Sequence, residues 1–130
     1  MEKHVDNNIN TEQFNFLSAL IESFSVSKKA YENYINDGRI FLHAKVLKKA
    51  NDSIRITLLN NHDLIPDDLL EDANELIEHY DIWINKWIKL EQKLHPNVKD
   101  EFVFQNKFTF PSNSEKKFVA RFKEVKKNLE

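Results

Sequence analysis

One glycine in 130 residues limits this chain more than any other feature. It is Gly38, in Asn36-Asp37-Gly38. Gly-rich phosphate loops of the dinucleotide and Walker types need several glycines and are excluded. A multi-stranded sheet is disfavoured too, because tight hairpin turns draw on glycine for positive φ. Helix remains, and Gly38 stands where a first helix would need a left-handed C-terminal cap. The expectation is an all-α bundle of four helices, or five if the second is broken. Residues 1–10 read as a flexible polar tail and residues 11–130 as a single helical domain, long enough to bury a core without staples.

Apolar spacing places the helices. The first runs from Thr11, a candidate N-cap, to about Asn36. Phe16, Leu17, Leu20, Ile21, Phe24, Tyr31, Tyr34 and Ile35 share one face. The second runs from about Arg39 to Asn60 with Ile40, Ala44, Leu47, Ile54 and Leu58 as its stripe. Asn51 falls inside that stripe. Either it is a buried polar residue that fixes register, or Asn51-Asp52-Ser53 is a break with Ser53 capping a shorter helix. The unbroken helix is the preferred reading.

The third helix is the clearest, from Pro66 to Leu94. Pro66 suits a first helical position, acidic residues crowd the first turns, lysines the last, and His95-Pro96 stops it. Its apolar stripe, about 140 to 160° wide on standard geometry, includes Leu69, Leu76, Tyr80, Trp83, Trp87 and Leu94. Such breadth predicts a central helix packed on two sides, or one with a face for a partner. Phe102, Phe104, Phe108 and Phe110 then alternate around Gln105-Asn106-Lys107, which predicts a short hairpin or an extended loop. An isolated hairpin is only marginally stable, so these rings must lie against the helices. The last helix starts at Ser112 or Ser114 and carries Phe118, Phe122, Val125 and Leu129 on a narrow stripe.

Charge is uneven along a chain whose formal net charge is −2. Pro66–Leu94 holds eight acidic and three basic side chains, and Pro111–Glu130 holds six basic and three acidic. The simplest expectation is that these segments lie side by side. A basic patch for an external polyanion is the rival. Lysine outnumbers arginine 16 to 3 and asparagine is abundant, a bias of AT-rich coding sequence that suggests a bacterial or phage source. With no cysteine there is no disulfide, thiolate metal site or cysteine nucleophile, which fits a reducing cytoplasm. No apolar run approaches the ~18 residues of a membrane span, and Met1–Asn10 is too acidic for a signal peptide.

Chemistry is sparse. Serine occurs in no nucleophile-elbow setting. Five histidines are scattered, and only Glu75 with His79 has helical ligand spacing, so neither metal nor cofactor is expected. The pattern Arg55-Ile-Thr-Leu-Leu-Asn-Asn-His62 resembles the signature of HEPN ribonucleases, all-α proteins in which an Arg is followed by His after four to six residues. The resemblance implies action on a 2′-hydroxyl and the adjacent phosphate, usually at a homodimer cleft. A fixed cation there steadies the phosphate while histidine moves a proton. Ile56 departs from that pattern, which usually carries a polar residue after the arginine. The plainer reading has Arg55 solvating a helix edge and His62 capping its C-terminus.

Contact remains. Tyr80, Trp83 and Trp87 stack along one helix face, and such aromatics anchor either interfaces or cores. The expected function is therefore a non-enzymatic helical protein–protein interaction module: an accessory, adaptor or inhibitor subunit. Its expected partner is another protein, with homodimerisation as one form, and neither membrane nor nucleic acid is expected. The alternative is a HEPN-like ribonuclease, or an inactive relative, using Arg55 and His62.

Overall fold

The computed structural model describes residues 2–104 and 110–129, and the side chains of 11–104 and 110–129. The chain is an all-α bundle of four helices: α1 (Glu2–Asn36), α2 (Phe41–Asn60), α3 (Leu70–Leu94) and α4 (Ser112–Leu129). α1 begins at Glu2, so Thr11 lies within the helix and is not its cap.

α1 and α2 form a hairpin turned by two left-handed residues. Gly38 has φ +78°, the C-terminal cap its position predicted, and Arg39 adds a second at φ +53°. The Arg39 N–H donates to the Tyr34 carbonyl at 2.9 Å, closing the end of α1. α2 has no side-chain cap. Its first N–H groups go instead to a distant segment: Phe41 to the Asp100 carbonyl and Leu42 to the Val98 carbonyl, each at 2.8 Å. The Phe102 N–H returns to the Arg39 carbonyl at 2.9 Å, so residues 98–102 are tied to the start of α2 by backbone bonds. Tyr34 clamps the same segment. Its hydroxyl donates to the Phe102 carbonyl and accepts from the Phe104 N–H.

α2 runs unbroken through Asn51, so the bundle has four α-helices and Ser53 caps nothing. Asn51 is buried and its amide oxygen accepts from the Ser27 hydroxyl on α1. That bond satisfies a polar group inside an apolar stripe and sets the α1–α2 register. α3 starts later than its sequence suggests. Pro66 sits at ψ 140°, outside the helix, and Asp67–Leu69 form a 3-10 turn that leads into Leu70. His95 ends α3 in a left-handed conformation, its N–H donating to the Glu91 carbonyl.

Two buried clusters make up the core. In one, Phe16, Leu20, Ile54, Leu76 and Tyr80 meet Phe118 of α4. In the other, Tyr34, Phe41, Leu47, Trp83 and Trp87 meet Phe102. α4 thus seals one half of the three-helix framework and the phenylalanine segment seals the other. The first pair of alternating rings, Phe102 and Phe104, does lie against the helices as required. The hairpin expected at Gln105-Asn106-Lys107, with Phe108, lies outside the described residues.

Several stripe residues are not core. Tyr31 and Ile35 of α1 and Leu94 of α3 are exposed, although Ala30 and Tyr34 on the same stretch of α1 are buried. The acidic and basic segments do lie together: Lys117 pairs with Asp72, and Arg121 with Asp68. Among the described residues no helix is long and apolar enough to cross a membrane.

Candidate functional site

Among the described residues Arg55 and His62 make separate contacts. The Arg55 guanidinium is held by Asp81 of α3 and, at 3.6 Å, by Asp52 one turn back on α2. The Asp81 hydrogen bond raises the Arg55 pKa further. An incoming phosphate would have to displace two carboxylates. His62 is exposed at the start of a 3-10 turn, His62–Leu64, just past α2. It does not cap α2; the Asn61 amide does, donating to the Thr57 carbonyl at 2.9 Å. Among the described residues no hydrogen bond or ion pair links Arg55 to His62.

Tyr80, Trp83 and Trp87 are 3, 7 and 3% exposed and so lie in the core. The phenylalanines of the chain pack against both tryptophans. Trp87 lies 5.0 Å from Phe102 and 5.6 Å from Phe41 between ring centroids, and Trp83 meets Phe104 edge-on at 5.2 Å. The broad stripe of α3 is packed on two sides, and the second side is this phenylalanine segment.

Glu75 and His79 turn to different tasks. Glu75 accepts from the Ser114 hydroxyl at 2.9 Å, and Asp72 accepts from the same hydroxyl at 3.0 Å. Ser114 is buried in the first turn of α4 and so pins that helix to α3. His79 packs edge-on against Tyr80 and Phe110, and burial lowers its pKa. Among the described residues no three His, Asp or Glu side chains are grouped to hold a metal ion.

Two surface features of the described residues were not revealed by sequence periodicity. The first is a groove of about 460 Å³ where the two core clusters meet. Phe24, Leu47, Trp83 and Phe110 give it apolar walls, and Asn51, His79, Tyr80, Lys28 and Glu115 bring polar groups to it. Burial raises the Glu115 pKa, opposed by the Lys28 ammonium, and burial with the Glu115 charge raises that of Tyr80. The second is a shallow trough between α1 and α2, lined by Ala19, Glu22, Ser23, Val26, Ala50, Ser53 and Thr57. It shares no lining residue with the groove. Beside it Val26, Leu42, Val46 and Ile56 are 53, 46, 51 and 43% exposed. Leu42, Val46, Ser53 and Ile56 fall within an arc of about 80° on α2 at 100° per residue, and exposed Lys49 stands in the same arc, so this face sets apolar side chains around one cation. Comparison with family models, curated proteins and solved structures finds no match for the chain.

Proposed function

We propose that this protein works by contact, as a helical interaction module that receives a helix of a partner protein along the α1–α2 face. The carrying observation is that exposed Val26, Leu42, Val46 and Ile56 lie beside a trough of mostly small side chains, with Glu22 and exposed Lys49 supplying a charge of each sign on the same face. Scattered single apolar residues are ordinary on a protein surface, whereas an apolar ridge beside a groove is the form of a helix-docking site. Ala19, Ser23, Ala50 and Ser53 leave room for a partner backbone to approach, and the flanking branched residues offer area to bury. Trp83 and Trp87 are packed by Phe41, Phe102 and Phe104, and Tyr80 is buried beside Phe110, so the α1–α2 face is the better candidate.

Replacing Val46 and Ile56 together by Asp tests this. Both are exposed, so the fold should tolerate the change and the helical circular dichroism should stay the same. The tagged wild-type chain should recover a stoichiometric partner from its source cells, or self-associate in sedimentation, and the double variant should do neither. Equal recovery or association by both chains would end the proposal.

A further inference from the structure

We propose that the groove between the two core clusters binds a small, neutral, planar aromatic molecule carrying a carbonyl acceptor. It would insert its ring between Leu47, Trp83 and Phe110 and take hydrogen bonds from the Asn51 amide and the Tyr80 hydroxyl. This site is separate from the α1–α2 face, so either proposal can fail alone.

The argument starts from donors without partners. Asn51 is 6% exposed, and the Ser27 bond occupies its amide oxygen and leaves the amide N–H groups unused. Tyr80 is 3% exposed, and among the described residues its hydroxyl has no partner. Buried polar groups are almost always satisfied. Yet neither donor is sealed in the interior: among the described residues the Trp87 indole N–H is the one fully buried side-chain polar atom lacking a partner. The Asn51 and Tyr80 donors therefore open to the groove that both residues line. Two donors at one apolar-walled cleft call for an acceptor, and the flat walls call for a ring.

The electrostatics select a neutral ligand. Lys28 and Glu115 bring opposite charges to the same groove and offset each other. Burial lowers the His79 pKa and raises that of Glu115, and the same desolvation penalises a charged ligand between these walls. A volume of about 460 Å³ lies within the usual range for a small-molecule site.

The probe is benzamide, with benzoate and benzylammonium as charged counterparts of nearly the same shape. Each is titrated into labelled protein while the Trp83 indole and Asn51 amide signals are followed by NMR. A fragment of this size is expected to bind in the millimolar range. Benzamide should shift both signals saturably, with each charged analogue at least about tenfold weaker. Tyr80→Phe, which removes only the hydroxyl, should weaken benzamide by about five- to tenfold. Asn51→Asp keeps the acceptor for Ser27 and removes the free N–H donors, so it should weaken benzamide similarly. Three results would each overturn the proposal: no saturable shift at about 20 mM, well above the expected range; equal binding of all three probes; or unchanged affinity in a folded Tyr80→Phe chain.

Discussion

Truncating Phe102 to alanine should remove a large share of the protein's stability, although Phe102 belongs to no helix. Its side chain is fully buried, with ring centroids 5.2 Å from Phe41 and 5.0 Å from Trp87. Deleting the ring withdraws roughly 100 to 150 Å² of apolar surface from the core, worth about 2.5 to 4 kcal/mol. Lost ring pairing and the residual cavity add to this, giving about 3 to 5 kcal/mol, the usual range for buried Phe→Ala. Domains of ordinary stability have only about 5 to 15 kcal/mol in total. Urea unfolding followed by circular dichroism and by tryptophan fluorescence measures the loss. Both probes should shift together, because Trp87 leaves its site as the helices melt. Val103→Ala, at a neighbouring exposed position, should stay within about 0.5 kcal/mol of the parent. A Phe102→Ala chain within about 1 kcal/mol of wild type would refute the view that this segment completes the core.

Other perturbations separate the remaining elements. Ser114→Ala should cost about 1.5 to 3 kcal/mol by chemical denaturation, since it removes a buried hydroxyl from two carboxylates, whereas Lys117→Ala at the exposed end of the same cluster should cost under about 1 kcal/mol. Gly38→Ala should cost about 1 to 2 kcal/mol by the same assay; its Cβ would meet only Ile40 at 3.8 Å, so the penalty comes from the positive φ. Burial keeps the folded His79 pKa below its ordinary 6.5, so the unfolded chain takes up the proton first. Stability should therefore fall as pH drops from 6.5 toward the folded value, and His79→Gln should flatten that limb of the urea-midpoint profile. Glu115 acts in the opposite sense: its folded pKa lies above 4.5, so stability should fall as pH rises from 4.5 through the folded value, and Glu115→Gln should raise the midpoint at neutral pH.

Local signals in the sequence were enough for the helices and for the α1 terminus. Gly38 marks the left-handed turn because an L side chain is strained there, and periodicity marks the inner face of α2 through Leu58. Asn51 stood out as a polar residue in an apolar stripe, but its partner Ser27 is 24 positions away and no local rule pairs them. The α3 stripe announced its breadth without saying what would cover it. Phe102 and Phe104 do so, held by backbone bonds to the α1–α2 turn that no side-chain pattern encodes. Tyr31 and Ile35 continue the α1 periodicity yet lie in the open, because this end of α1 turns Ala30 and Tyr34 to the core instead. The groove was hidden because its walls come from α1, α2, α3, α4 and Phe110 together, a property of assembly and not of any one helix.

The contact proposal depends on which face of the bundle meets another molecule. Photo-crosslinking side chains placed singly at Val46, at Ile56 and at exposed Lys99 as a control position test this in the source cells. The account predicts one discrete adduct shared by the Val46 and Ile56 positions and absent from the control. Adducts at Lys99 alone, or none at Val46 and Ile56 in a folded chain, would contradict it.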